Sequence, residues 1–228
     1  MQRGELIGSG RSADAYAIDD EWVLRRYRDG GDATAEAVVM SHLAEHGYPV
    51  PRVRDATDTD LVIQRLYGPS MLQALEGGTI TAKEAGAVLG HLLHRLHTIP
   101  ARVSPQNPLA RVLHLDLHPD NVMLTPDGPM VIDWRNTEEG PPGLDWGMSS
   151  LILAQAAVDT PAQAAVACAV LSSLLSHPGP SVTLGNANAG HLAEARTRRA
   201  ADPAMSGREP RLLDDAVALV CELAPAAS

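Results

Sequence analysis

The feature that most constrains this chain is the run His114-Leu115-Asp116-Leu117-His118-Pro119-Asp120-Asn121, followed eleven residues on by Ile132-Asp133-Trp134. A carboxylate, an amide five residues later and a second carboxylate beyond a short hairpin are oxygen donors. Hard divalent cations such as magnesium take one or two such groups from a protein and the rest from substrate phosphates. The set fits phosphoryl transfer, where a loose transition state leaves positioning and charge neutralisation as the protein's main tasks. In that chemistry Asp116 can orient and deprotonate a hydroxyl, while Asn121 and Asp133 can hold Mg2+ on a nucleoside triphosphate.

Composition narrows the partners. At 228 residues and 24.1 kDa the chain can bury a sizeable core as one large domain or two small parts. A net charge of −10 and a pI near 5.3 argue against a nucleic-acid or anionic-membrane surface; they fit a cationic small molecule weakly and simple solubility better. Cys168 and Cys221 lie on apolar helical stretches without metal or disulfide spacing, which predicts a reducing compartment. Met1-Gln2-Arg3-Gly4-Glu5 lacks the apolar core of a signal peptide, and no apolar run is long enough to span a bilayer. The expectation is a cytoplasmic protein with no membrane partner; its oligomeric state is not readable.

Along the chain, Glu5–Ile7, Ala15–Ile18 and Trp22–Tyr27 are short apolar or alternating runs between Gly and Asp-Asp turns, and predict strands. Asp32 to His46 predicts a helix with Ala35, Val38, Val39, Leu43 and Ala44 on its apolar face. Val50–Val53 and Leu61–Leu66 predict further strands, and Gly68-Pro69 marks the boundary between a β-rich part, 1–67, and a helical part, 68–228. Thr81-Ala82-Lys83-Glu84 is a capping box. The helix it opens carries Ala85, Val88, Leu89, Leu92, Leu93 and Leu96 on one face and stops before Pro100. Leu144–Ala157, Pro161–Leu175, Ala189–Ala200 and Arg211–Leu223 predict helices, and His177–Asn188 a loop. His91, His94 and His97, three apart, read as scattered polar positions on an amphipathic helix.

The spacing of Asp116, Asn121 and Asp133 matches the H-x-D-x-x-x-x-N and D-x-x signatures of the kinase fold. With Leu-His-Pro after the Asp it resembles the aminoglycoside phosphotransferase and choline kinase family. The resemblance implies an α+β, bilobal protein-kinase-like fold, with a β-rich N-lobe that binds nucleotide and a mainly helical C-lobe for catalysis and the acceptor. It implies ATP and Mg2+ as cofactors. Carried over, Asp116 is the catalytic base and His114 an architectural anchor, while Asn121 and Asp133 are the metal ligands. His118 lies where protein kinases place a lysine near the transferred phosphate, and either a structural or a catalytic role fits. Asp145 resembles the family's later Asp that braces the catalytic loop from behind. Leu115 and Asp120 stand where the family often has glycine.

In the nucleotide half, Gly8-Ser9-Gly10-Arg11-Ser12 lies between two predicted strands, where a kinase glycine loop should be. Gly8, Ser9, Gly10 and Ser12 are therefore candidate phosphate contacts, although Ala13 and Ala15 replace the pattern's third Gly and its Val. The family's strand lysine cannot be present, because the only lysine, Lys83, opens a helix of the other part. The resemblance puts Arg25 in its place, with Glu36 as its partner; Arg26 points to the opposite face by the period of two. Arg25, Arg26 and Arg28 as a plain solvated edge is the rival reading. Gln64 and Leu66 would form the hinge for adenine.

Two other functions compete. His114-x-Asp116 could start a two-His-one-carboxylate iron site, although that chemistry usually rides on a β-sandwich. A pseudokinase that binds nucleotide without turnover would explain Ala13 and Arg25, but Asp116, Asn121 and Asp133 are all intact. The implied acceptor is a small hydroxylated molecule. Carboxylates past Asp133, among them Glu138, Glu139, Glu194, Asp202, Glu209 and Asp214, would favour an amino-bearing acceptor if they line the cleft and not merely the solvated surface.

Overall fold

Short β-branched and alternating segments give strands early in the chain, and longer Ala- and Leu-rich segments give helices later. The structure, a computed structural model, describes residues 4–10, 12–28, 30–176, 184, 190–202 and 212–224. Its strands and first helices are β1 (Leu6–Ser9), β2 (Ala13–Ala17), β3 (Trp22–Tyr27), α1 (Ala33–Glu45), β4 (Val53–Ala56), β5 (Asp60–Gln64), α2 (Met71–Glu76) and α3 (Ala82–Leu96). Then come β6 (Arg111–Leu113), β7 (Val122–Thr125), β8 (Gly128–Val131), β9 (Glu138–Gly140), α4 (Pro142–Asp159), α5 (Ala164–Leu175), α6 (Gly190–Ala200) and α7 (Leu213–Leu223). This is an α+β fold. No helix among the described residues is long and apolar enough to cross a membrane.

The chain forms two compact units, Met1–Ser70 with Val122–Thr137, and Met71–Asn121 with Glu138–Ser228. In the first, an antiparallel sheet of order β1-β2-β3-β5-β4 packs against α1. Leu24 and Leu61 are fully buried on opposite faces of the sheet, and Met40 and Leu43 of α1 are buried as well. The unit is discontinuous because the β7–β8 hairpin returns to it. The Leu124 amide donates to the Pro69 carbonyl at 2.9 Å, and the Val131 amide donates to the Pro49 carbonyl at 2.8 Å. Gly68 permits that approach: its φ is +140°, and a Cβ there would lie 2.0 Å from the Leu124 carbonyl oxygen.

In the second unit α4 is the central helix, packed by α5, α6 and α7, and α3 packs on α5. The capping box at Thr81 forms as expected: the Glu84 amide donates to Thr81 Oγ1, and Glu84 accepts from the Thr81 amide at 2.9 Å. Ala85, Leu89, Leu92, Leu93 and Leu96 are buried, as the periodicity of α3 requires.

The pair β6 and β9 in the helical part is not in the sequence reading, and β4, α2 and α1 also differ from it. The strand expected at Val50–Val53 forms at Val53–Ala56, since Pro51 offers no ladder donor. The helix α2 was not foreseen, because six residues are too few to show a period. The face of α1 is rotated: Ala33, Glu36, Ala37, Met40 and Leu43 are buried, while Ala35, Val38 and Ala44 are exposed. An apolar count cannot find a face that buries a carboxylate. The predicted loop His177–Asn188 lies outside the described residues except for Leu184.

The α3–α5 crossing has a built-in test. A Cβ on Gly86 would lie 2.4 Å from the Val170 carbonyl oxygen and 2.9 Å from the Leu174 amide. On an open helix Gly→Ala stabilises by about 1 kcal/mol. Here Gly86→Ala forces backbone apart, so we expect a loss of about 1–3 kcal/mol, read as a lower urea midpoint at unchanged slope. A raised midpoint would refute the close crossing.

Candidate active site

Each unit has a buried carboxylate around which candidate residues gather. In the first unit Glu36, only 4% exposed, sits on the first turns of α1 and accepts three hydrogen bonds. They come from Arg25 Nη1 at 2.9 Å, the Tyr27 hydroxyl, and the backbone amide of Trp134 at 3.1 Å. Arg25 stands on β3, and its second nitrogen, Nη2, reaches Asp133 Oδ1 at 2.6 Å. Arg26 turns to the other face and forks onto Asp60, its cross-strand partner on β5, with Nε at 2.6 Å from Oδ1. So of the two neighbouring arginines, Arg25 is the one that meets Glu36 and Asp133. The rival reading of a plain solvated edge does not describe Arg25, whose side chain is 16% exposed.

Electrostatics explain why this arginine stays charged indoors. Burial disfavours the Arg25 cation, but Glu36 and then Asp133 more than offset that and raise its pKa above the ordinary value. Burial, followed by the Glu36 charge, likewise pushes the Tyr27 hydroxyl up, so it remains a donor. The Tyr27 ring has Arg25 and Arg135 over it, each 5.1 Å from the centroid. Asp133 itself adopts a left-handed backbone, φ 64° and ψ 66°, a conformation that costs L-residues roughly 1–2 kcal/mol and that Asp tolerates better than most. It is held there from both sides: Arg25 takes its carboxylate, and Glu36 takes the next amide.

The β1–β2 turn is braced by a residue the sequence did not single out for it. Arg28 bonds Asp14 and the Gly10 carbonyl and touches Ser9 Oγ at 3.3 Å, while its amide donates to the Ser12 carbonyl at 2.9 Å. Ser9 Oγ donates to Asp14 at 2.7 Å. Neither Gly8 nor Gly10 has a left-handed φ, and a Cβ on either would meet nothing closer than 3.5 Å. The fold itself does not demand glycine at these positions. Gln64 ends β5, its amide donating to the Arg52 carbonyl at 2.8 Å, and Leu66 follows half-buried.

In the second unit the buried carboxylate is Asp145, near the start of α4 and fully excluded from solvent. Its Oδ2 accepts from the His114 amide at 3.0 Å and its Oδ1 from the Leu115 amide at 2.7 Å. His97 Nε2 lies 3.0 Å from Oδ2. Full burial alone would raise the Asp145 pKa; the hydrogen bond and charge of His97, then the His114 amide, reverse this and hold it below the ordinary value. His97 thus pairs with a buried carboxylate and is more than a scattered polar position. His94 also has a packing role, edge-on to the Trp146 ring at 5.3 Å. The period-three spacing carried no hint of this, since the partner lies 48 residues away.

Fixing those two amides shapes the loop that carries Asp116. Leu115 is left-handed, φ 62°, at a position where glycine would be free to adopt it. Asp116's amide donates to His114 Nδ1 at 3.2 Å. Asn121 Nδ2 donates to the Asp116 carbonyl at 2.8 Å and lies 3.5 Å from Asp116 Oδ2, which leaves its Oδ1 as the atom suited to a cation. His118 Nε2 lies 3.9 Å from Asp116 Oδ1 and 3.2 Å from Asn121 Nδ2, and the Asp120 amide donates to its Nδ1. Burial lowers the His118 pKa although the Asp116 charge opposes it. Among the described residues no group of three His, Cys, Asp or Glu is placed to hold a metal, so the iron reading of His114 and Asp116 lacks a third ligand there. The Asn121 amide oxygen and the Asp133 carboxylate are each the kind of hard oxygen donor that magnesium takes.

The carboxylates past Asp133 are largely spoken for. Arg198 of α6 pairs with Glu138 at 2.6 Å and Glu194 at 2.8 Å, Arg196 with Asp214 at 2.7 Å, and Arg199 with Asp202 at 3.1 Å. Glu139 accepts from the amides of Arg102, Val103 and Ser104. Glu209 lies outside the described residues.

Asp145→Asn should cost about 1–3 kcal/mol, because an amide NH2 would face backbone donors that now meet a carboxylate. The sign with pH follows from the lowered pKa. The carboxylate's contribution is complete above the unfolded value of about 3.9 and is lost as pH falls through the folded one, so the stability gap to the variant should close in acid. A gap that stays constant from neutral pH into acid would contradict this assignment.

The model of the phosphotransferase enzyme family matches residues 3–110 and 105–179. Comparison of the sequence with curated proteins returned no match. Among solved structures, the fold is similar to a choline/ethanolamine kinase family protein from Mesorhizobium loti, with a TM-score of 0.58 at 15% identity over 96% of this chain and 87% of that one. It is similar to amicoumacin kinase hAmiN, in complex with AMP-PNP, Ca2+ and Ami, with a TM-score of 0.57 at 11% identity over 98% of this chain and 90% of that one. It is also similar to APH(2'')-IIa in a ternary complex with streptomycin and ATP, with a TM-score of 0.56 at 14% identity over 95% of this chain and 86% of that one. These likenesses show a kinase-like fold.

Proposed function

The chain belongs to the phosphotransferase enzyme family, and from that premise we propose that it transfers the γ-phosphoryl group of ATP to a hydroxyl of a small molecule. The observation that carries the proposal is the loop His114–Asn121. Asp145 anchors its start through two amides, and Asn121 ties its end to Asp116, so a carboxylate and an amide oxygen are held together without relying on side-chain chance. Preorganised charge of this kind is what phosphoryl transfer needs.

In this reading Asp116 accepts the proton of the acceptor hydroxyl as the hydroxyl oxygen attacks the γ-phosphorus, and the bond from that phosphorus to the β-phosphate oxygen breaks to release ADP. Asn121 and Asp133 are the oxygen ligands for Mg2+, which when bound neutralises charge on the phosphates. The β-rich part, 1–67, serves the nucleotide. Arg25 supplies a permanent cation for phosphate, braced by Glu36, and Gly8, Ser9, Gly10 and Ser12 offer backbone and hydroxyl donors. Glycines that the fold does not itself require, at a turn between two strands, support close approach of a phosphate. Gln64 and Leu66 serve adenine through their backbone. The helical part, 68–228, serves catalysis and the acceptor. His118 beside Asp116, kept neutral by burial, orients the base.

The acceptor is a small hydroxylated compound, as streptomycin and amicoumacin are ligands in the complexes of the similar structures. Because α6 arginines and loop amides engage Glu138, Glu139, Glu194, Asp202 and Asp214, these carboxylates already have partners, and we do not assign them the selection of a cationic acceptor.

Asp116→Asn is expected to lower ATP-dependent turnover by about 10²–10⁴-fold, the usual worth of a positioned base, and to leave nucleotide binding intact. Turnover equal to that of the unaltered protein would remove Asp116 from the mechanism. If the unaltered protein itself binds Mg·ATP with no phosphoryl transfer to any of a panel of alcohols, the alternative of a nucleotide-binding pseudokinase stands instead. In the same assay Arg25→Ala should raise KM for ATP and lower kcat, with Arg26→Ala mild; equal effects would contradict the strand faces seen here.

A further inference from the structure

In a kinase-like fold that uses lysine on this strand, the cation is one point charge. Here it is a guanidinium, whose two nitrogens engage two carboxylates at once. Nη1 holds Glu36 at 2.9 Å and Nη2 holds Asp133 Oδ1 at 2.6 Å. The proposed metal ligand is therefore already paired to a cation inside its own unit. We propose that Arg25 makes divalent-cation binding at Asp133 depend on nucleotide: without nucleotide the guanidinium holds Asp133, and phosphate oxygens must replace Asp133 as Arg25's second partner before the carboxylate can serve a metal.

The two contacts differ in a way that makes the exchange one-sided. Glu36 is 2% exposed at its side chain, and it is also held by the Tyr27 hydroxyl and the Trp134 amide. Removing Arg25 from it would strand a buried charge, which is expensive. Asp133 is 35% exposed at its side chain, so water or an incoming ion can meet it. The Glu36 contact therefore persists and the Asp133 contact is the one that yields. A second cation at Asp133 would sit against the guanidinium at contact range, and the repulsion keeps a lone metal weakly bound. Phosphate draws the guanidinium's second fork to itself and adds metal ligands in the same event. The left-handed backbone at Asp133 belongs to the same device, because the Arg25 and Glu36 contacts that hold it are those that release it only on one side.

This inference rests on the kinase reading for its nucleotide, but its first measurement needs neither acceptor nor turnover. Mn2+ is titrated into the full chain and free metal is followed by its electron paramagnetic resonance signal, with and without ADP. The unaltered protein should bind Mn2+ weakly alone and about tenfold or more tightly with ADP present, within the usual range of coupling between sites. Arg25→Met should bind Mn2+ tightly without nucleotide and gain little from ADP, and Arg25→Met with Asp133→Ala should lose that binding. If Arg25→Met does not fold, Arg25→Lys decides: it keeps a charge for Glu36 but cannot fork to both carboxylates, and should bind Mn2+ without nucleotide more tightly than the unaltered protein. Equal nucleotide-free affinity in the unaltered protein and in the folded variants would overturn the proposal. Failure of ADP to bind the unaltered protein would instead overturn the kinase reading, and the nucleotide-free comparison separates the two.

Discussion

A carboxylate taken out of water must be given donors, and in both units that requirement organises what surrounds it. Glu36 is buried on α1 and recruits a strand arginine, a tyrosine hydroxyl and the amide after Asp133. Asp145 is buried on α4 and recruits His97 and the first two amides of the Asp116 loop. Removing one partner leaves an unpaired charge, a loss larger than any single contact contributes when present. Between them the two carboxylates hold the backbone amides of Trp134, His114 and Leu115.

That explains where the strained backbone is found. Leu115 and Asp133 are the non-glycine residues with positive φ among those described. Each lies next to an amide that a buried carboxylate accepts, or donates such an amide itself. Left-handed residues persist only where the surroundings over-determine them, and here the buried carboxylates supply that surplus. The strained backbone lies beside the carboxylates proposed to function: Asp116 follows Leu115, and Asp133 is itself left-handed.

The acidic balance of the chain has a less direct meaning than its size suggests. A net charge of −10 does not amount to a negative field at one place. Along α6 the arginines Arg196, Arg198 and Arg199 each meet a carboxylate within hydrogen-bond distance. Locally paired charges project little field beyond about one Debye length, roughly 8 Å at physiological salt.

What the sequence determined by itself was whatever depends on local order. The α+β class followed from period-two runs early and period-3.6 runs later, and the capping box at Thr81 and the face of α3 followed from residues within one or two turns of each other. The family followed from the spacing of Asp116, Asn121 and Asp133, because that chemistry ties residue types to a short stretch of chain. Arg25 and Glu36 could be named as partners through the same resemblance, with the absence of another lysine to choose from. What only the tertiary structure decided were contacts between segments far apart in sequence. His97 with Asp145, Arg28 across the glycine turn, the second fork of Arg25 on Asp133 and the arginines of α6 on distant carboxylates leave no periodic trace. The rotated face of α1 has the same origin. Its buried stripe includes Glu36, a residue that enters the interior only because partners from β3 and from the Trp134 amide meet it there.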